Sequence, residues 1–548
     1  MFTLADSASA ITCLIAVLTI TVISYCTNWQ ARLKFKHIPG PAPSFPLGNL
    51  KVIRKRQIYR AYTDWQAKYG DTFKVFFVRQ PIVVTTDPNL VRQITVKDFN
   101  KFHDRVAPTL NRSLFTGARM EAAQSGMLLA RGAFWGSLRA GVQPMFHSHH
   151  LATYAETINQ AVDDVIVNLD QLAESGEQVD MFRQLGRMTM QVIGAAAFGV
   201  HFDTQSAGKG EEIPLVKAAK TVFDNSTPAF WSLAAMIAPA FLLPPIRLLA
   251  RTFPGQNMTE SREAFETLYD ASDALIENSR KKYNSDSEKP APWTWFKSNP
   301  NNPYKDTVPA ENSVISMLMK ANNKATGTPF NHMQIAAQTN TMILAGYETT
   351  ANTLAYSIYL LGKNPEAQQQ LLQEIDQSHG RPGYDSLHQF PYAAAVINEA
   401  LRLYPPATML SRVATEDLGP YFIPKGTGVH INLWAMQHDE RYWKDPEAFK
   451  PERWIGNAKG GDMSDGMAYM PFGLGPRMCI GIKLALEEAI IALVRLYQKY
   501  TFTLSDKLMT QPLELKQGIT ISPKGGLPVT IVLRARASKQ SGVVAAGA

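Results

Sequence analysis

Cysteine is scarce in this chain: three in 548 residues, at Cys13, Cys26 and Cys479. Two lie in an apolar N-terminal stretch, so Cys479 is the single thiol of everything after it. A disulfide framework is therefore excluded there, and so is a zinc site needing several cysteines. Charge is absent from Ser7 to Ala31, a run long enough to cross a bilayer as one helix. No lysine or arginine precedes Arg32. That removes the basic start of a cleaved signal peptide and the arginines of an organelle transit peptide. Asp6 lies before the run, and Arg32, Lys34 and Lys36 follow it. This asymmetry predicts a membrane anchor over 1–36 with the bulk of the chain on the cytosolic side, a removed targeting segment being the plain alternative. Internal repeats and long low-complexity linkers are also missing. The net charge of +8 is scattered. It suits an acidic partner or an anionic membrane surface and gives no reason to expect nucleic acid.

What is present is a large chain of ordinary composition, 45% hydrophobic with 34 prolines and 35 glycines, enough to bury a substantial core. Prolines in His37–Leu50 predict a stiff connector. Phe73–Thr86 reads as two short strands with a turn near Gln80 and Pro81. Helical periods dominate from about Asn89 to Arg402, and strands return at Gly426–Trp434 and Leu527–Ala535. The expected class is mainly α with small β-sheets. Strands drawn from both ends of the chain argue for one large domain. Lys289–Ser313, rich in proline and asparagine, reads as an exposed loop. Thr227–Leu249 is very apolar, but Pro228, Pro239, Pro244 and Pro245 would break a single span. Short helices that dip into a membrane surface or roof an apolar cavity fit it better.

Several stretches carry chemistry-bearing residues, each with an ordinary alternative. Pro329–Pro365 predicts one long helix, started near Thr328–Pro329 and stopped by Gly362 and Pro365. Its centre, "AGYETT" (Ala345–Thr350), sets a glycine, an acid and two threonines in an apolar run. Gly346 admits a close approach to the backbone. Glu348 is costly to bury without a partner, and Thr349 is able to bond back onto the preceding turn. An exposed polar face explains the same residues. Glu399 and Arg402 lie three apart on one helical face, with Arg453 of "PERW" as a possible second cation; a surface ion pair is the plain alternative. Trp135 and Arg139, four apart, could hold a carboxylate or simply pack. Cys479 itself could be core filler, nucleophile, redox switch or single metal ligand.

These signals occur together and in order, and "PFGLGPRMCIG" (Pro471–Gly481) joins them. It resembles the haem loop F-x-x-G-x-R-x-C-x-G of the cytochrome P-450 superfamily, the haem-thiolate monooxygenases, at Phe472, Gly475, Arg477, Cys479 and Gly481. The resemblance runs from Pro39 to Arg536. It is to the eukaryotic microsomal type, and more loosely to the thromboxane-synthase and drug-metabolising group and the plant carlactone-oxidising type. No Cys-x-x-Cys-His for covalent haem is present, and Ile482 after Gly481 rules out a phosphate-binding loop.

The resemblance implies the cytochrome P-450 fold, with a catalytic domain over 37–548, partly β over 50–100 and helical over 101–540. It implies haem b as cofactor with Cys479 as metal ligand, whose thiolate favours O–O cleavage. Trp135, Arg139, Arg412 and Arg477 would bind the propionates. Phe472 would pack beside the sulfur, and Gly475 and Gly481 would allow the tight turn. Gly346, Glu348 and Thr349 resemble the oxygen-activating segment, with Thr349 bonding dioxygen and Glu348 relaying protons. Glu399, Arg402 and Arg453 resemble a buried structural triad, and Trp454 stands where phenylalanine is more usual, with no effect on chemistry expected. The implied reaction inserts one oxygen atom from dioxygen into a lipophilic molecule, terpenoid, sterol, carotenoid-derived or fatty-acid-like. Electrons would come from an NADPH-dependent diflavin reductase at the endoplasmic reticulum membrane. Expected pocket linings are Arg105–Leu128, Thr227–Leu249, Ile343–Ala345, Ala407–Leu410 and Gly518–Ile521. An isomerase or dehydratase acting on a peroxide, or a haem-binding protein without turnover, are the alternatives.

Overall fold

The structure, a computed structural model, describes residue 19 and residues 28–106, 125–205, 213–225, 230–238, 240–282, 302–378, 380–417, 423–456 and 467–534. Most of the expected anchor, 1–18 and 20–27, lies outside them, and among the described residues no helix is long and apolar enough to cross a membrane. Helix predominates. The longer helices are α1 (Ile58–Tyr69), α2 (Gly132–Val142), α3 (Ser148–Ser175), α4 (Met181–Phe198), α5 (Pro214–Asp224), α6 (Phe230–Ile237), α7 (Leu243–Thr252), α8 (Gln256–Lys282), α9 (His332–Lys363), α10 (Pro365–Gln377), α11 (Pro391–Leu403) and α12 (Ile482–Lys499). The strands are β1 (Thr72–Phe77), β2 (Gln80–Thr85), β3 (Gln178–Asp180), β4 (Met409–Val413), β5 (Gly428–Asn432), β6 (Tyr500–Leu504), β7 (Leu515–Gln517), β8 (Ile521–Pro523) and β9 (Pro528–Leu533). The chain forms two compact units: 1–116 with 228–255 and 409–435, and the remainder.

In the first unit a four-stranded sheet runs β1-β2-β5-β4, so strands from early and late in the sequence share one ladder. Phe73, Val75, Ile82 and Val84 pack on Ala61 and Tyr62 of α1. The hairpin turns at Val78–Arg79, two residues before the expected place, because Gln80 and Pro81 already pair with Phe77 and Phe76. Pro81 is tolerated because pairing to β5 starts only at Ile82. Val78 sits at φ 58°, a conformation a β-branched residue resists. Its buried side chain and its N–H, donated to the Leu47 carbonyl at 3.1 Å, hold it there. The apolar 227–249 region forms short helices, as its prolines predict. In and around α6 and α7, Phe230, Phe241, Leu248 and Phe253 are exposed at 73%, 75%, 66% and 65%.

The second unit is built around α9, 32 residues and therefore about 48 Å long. It starts at Asn331 rather than Thr328–Pro329. Asn331 accepts from the Gln334 N–H at 2.9 Å, and Gln334 accepts from the Asn331 N–H at 3.1 Å, a reciprocal cap that fixes the first turn. Gly362 does not stop the helix. It lets Leu504 of β6 approach where a Cβ would lie 2.7 Å from Leu504, and the helix ends at Asn364 before Pro365. α9 is buried along most of its length and packs on α4, α8, α11 and α12. The described part of the expected exposed loop is exposed at Pro303, Lys305, Asp306, Val308, Ala310 and Glu311 and anchored at a few points. Asn302 and Ser313 are buried, and Asn278 donates to the carbonyls of Tyr304, Lys305 and Thr307. Residues 289–301 lie outside the described residues.

Candidate functional site

Two glycines make the Cys479 loop possible. Gly473 and Gly475 sit at φ 77° and 71°, which side-chain-bearing residues rarely adopt. They turn the chain so that the Cys479 N–H donates to the Phe472 carbonyl at 2.8 Å and the Met478 N–H to Gly475 at 2.9 Å. Gly481 needs no unusual angle (φ −90°) and opens α12. The Cys479 thiol is exposed at the mouth of this loop.

Two cations meet there, Arg139 of helix α2 and Arg477 of the loop itself. Arg139 donates to the Met478 carbonyl at 2.9 Å. Burial lowers its pKa while Cys479 raises it, which places the guanidinium in the field of the sulfur. Arg477 is buried and donates to the carbonyls of Met127 and Ala130 at 3.0 and 2.6 Å. Its guanidinium lies 4.3 Å from the Trp135 ring centroid, and that of Arg139 lies 5.9 Å from it. Trp135, Arg139, Arg477 and Cys479 thus form one electropositive cluster, a setting that favours thiolate over thiol.

The centre of α9 is in the same unit. Thr349 donates to the Ala345 carbonyl at 2.6 Å, yet the helix stays continuous. Ala345 is exposed midway along an otherwise buried helix. Glu348 is buried and accepts from Thr520, the residue before β8, and from Asn352 at 3.5 Å. Burial, the largest influence, pushes its pKa up to about 7, against the lowering effect of those hydrogen bonds. The close approach at Gly346 is made by Ile193 of α4, which a Cβ would meet at 2.5 Å.

Glu399 and Arg402 of α11 are completely buried, not a surface pair. Arg402 reaches both carboxylate oxygens at 2.8 and 3.0 Å, and Arg453 joins at 3.0 Å. Two donors escaped the sequence reading. The Trp454 indole N–H donates to Glu399 at 2.8 Å, and the Lys450 backbone N–H donates to the same carboxylate at 3.1 Å. Trp443 faces both guanidiniums, at 5.2 and 5.9 Å. A polar hollow of ≈ 540 Å³ beside Gln370–Gln377 and Gln389–Tyr392 contains none of the expected site residues.

Residues 38–528 match the Cytochrome P450 family. This chain belongs to the cytochrome P450 family. Among its relatives are thromboxane-A synthase of Rattus norvegicus, 29% identical over 96% of this chain and 98% of that protein, and cytochrome P450 3A41 of Mus musculus, 31% identical over 95% and 96%. Cytochrome P450 3A5 of Homo sapiens is 31% identical over 89% and 90%.

As a P450 the chain is an enzyme and binds haem b through a cysteine thiolate. The residues fit that group. Cys479 is the one cysteine among the described residues, held beside the two cations of α2 and the loop. In the first unit, Arg412 of β4 is buried, and its Nε has no partner among the described residues. Burial, then the neighbouring Arg105, lowers its pKa to about 9. A buried guanidinium in that state suits an anionic group such as a propionate. Of the expected pocket linings, residues 107–124, 227–229 and 239 lie outside the described residues.

Proposed function

We propose that this P450 is a monooxygenase inserting one oxygen atom from dioxygen into a lipophilic small molecule, supplied with electrons by an NADPH-dependent diflavin reductase. Haem, when bound, supplies the oxygen chemistry, and the thiolate favours O–O cleavage. The chain's own residues hold and feed it. Cys479 would ligate the iron. Arg139 and Arg477, beside Trp135, would hold propionates, and Arg412 would serve as a further propionate partner. Thr349, on turning its hydroxyl away from the Ala345 carbonyl, would donate toward dioxygen, and Glu348 would carry protons to that position. Glu399, Arg402 and Arg453 lock the fold.

The single observation that carries this reading is Glu348: a carboxyl buried beside Thr349 in the central helix and bonded by Thr520 and Asn352, whose pKa burial raises to about 7. Reductive oxygen chemistry needs protons delivered to a dry site, and such a group is matched to that task. Rearranging a peroxide needs no such delivery. The similarity to thromboxane-A synthases favours a second reading, an isomerase or dehydratase acting on a peroxide.

We read residues 1–36 as a single-pass anchor in the endoplasmic reticulum membrane and 37–548 as one cytosolic catalytic domain. The exposed apolar side chains of α6 and α7 support lipid contact at a second place. The test is turnover of lipophilic compounds that shift the haem spectrum. Product requiring NADPH, reductase and dioxygen supports the monooxygenase, whereas product from an organic hydroperoxide alone supports the second reading. Cys479→Ala is expected to lose the thiolate-type Soret band of the reduced, carbon monoxide-treated protein, and retention of that band would remove the basis for both.

A further inference from the structure

We propose that Thr520 is a positioning residue for Glu348, so that the β7–β8 hairpin sets the orientation and charge of the acid in the central helix. The inference rests on the proton-carrying role given to Glu348 above. The two residues are 172 positions apart and both are buried, and the Thr520 hydroxyl donates to Glu348 Oε1. The other donor, Asn352, is at 3.5 Å, at the limit of a useful bond, so Thr520 is the partner that fixes the carboxyl.

The hairpin is built to present that hydroxyl. Gln517 and Ile521 are the last paired residues, which leaves Gly518, Ile519 and Thr520 as the turn, closed by the Gly518 N–H on the Thr520 carbonyl at 2.8 Å. Both flanks are tied down. Gln517 donates to the Thr408 hydroxyl at 3.0 Å, and the Ile521 N–H donates to the Pro406 carbonyl at 2.9 Å. Tyr356, on α9 itself, donates to the Ile521 carbonyl at 2.8 Å. Thr520 therefore meets Glu348 from a backbone already docked on the same helix, at no further cost in chain entropy. One residue before the turn pair, Lys516 binds Asp224 of α5 at 2.6 Å. These are the two charges that act on Glu348: Asp224 raises its pKa and Lys516 lowers it. The hydroxyl stabilises the anion and so opposes burial, which keeps the acid able to exchange its proton near neutral pH.

The experiment uses the full-length haem-loaded protein and its Thr520→Val, Thr520→Ser, Thr520→Ala and Asp224→Asn variants. The Glu348 carboxyl stretch is followed by infrared difference titration and identified by its loss in Glu348→Gln. Thr520→Val and Thr520→Ala are expected to shift the midpoint upward, Thr520→Ser to return it to the native value, and Asp224→Asn to shift it downward. With diflavin reductase and NADPH, the Val and Ala variants should divert a larger share of electrons to hydrogen peroxide, and Ser should restore the native share. An unshifted midpoint in whichever of the Val and Ala variants folds overturns the proposal. Absence of the thiolate-type carbon monoxide band overturns the functional reading instead, while the titration still decides the role of Thr520.

Discussion

Glu487 of α12 is buried, and neither carboxyl oxygen has a partner among the described residues. Burial pushes its pKa up to about 8. The folded state then holds its proton where the unfolded chain, with an ordinary glutamate near 4.5, has released it. Stability therefore falls as pH rises from about 4.5 to about 8, and levels off above that. Glu348, raised to about 7, acts in the same direction over a narrower window. Glu487→Met is expected to raise the denaturation midpoint at pH 8 and to flatten its pH dependence; equal midpoints for mutant and native protein at pH 8 would refute this. At Glu399, by contrast, both carboxylate oxygens are bonded. Arg453→Ala leaves a buried carboxylate short of a cation and should cost about 3–5 kcal/mol. Trp454→Phe removes one charge-assisted bond and should cost about 1.5–3 kcal/mol. Denaturant unfolding of both variants checks the order. The expectation that Trp454 is without effect concerned chemistry; its place on Glu399 concerns stability. It was not legible in the sequence, because residues 55 apart show no sign of sharing a bond.

Among the elements, α9 shows how far a local pattern reaches. Its existence and approximate length were legible from periodicity and the flanking prolines. Its ends were set by the Asn331–Gln334 cap and by the tolerance of Gly362, whose missing side chain makes room for Leu504. Gly346 follows the same logic. The sequence shows that something approaches, and the fold shows that Ile193 is what does. Gly346→Ala should overpack the α4–α9 contact and lower stability by about 1–3 kcal/mol. Thr349→Ala should leave stability nearly unchanged and alter the partition of electrons between product and peroxide. Unfolding curves and peroxide assays on the two variants separate packing from proton handling. In the Cys479 loop, Gly473 and Gly475 are demanded by φ, whereas Gly481 is not, a distinction the motif alone does not make.

At the scale of the whole molecule, the exposed apolar side chains of α6 and α7 are the feature most at odds with an aqueous surface. Deleting residues 1–36 is expected to leave part of the protein sedimenting with membranes. Adding Phe230→Ser, Phe241→Ser, Leu248→Ser and Phe253→Ser should release it, and flotation with vesicles measures this. If the truncated protein is fully soluble before those changes, lipid contact through α6 and α7 is wrong.

By itself the sequence determined the family, the mainly helical class and the place of the one cysteine beyond the N-terminal apolar stretch. Those depend on spacing, on residue type and on a low cysteine count. Only the tertiary structure decided that Glu399 and Arg402 are wholly buried, that Glu348 answers to Thr520 and that Trp454 bonds the same acid as two arginines. Burial and long-range hydrogen bonds arise from how distant segments pack, and no local pattern encodes which segment will arrive.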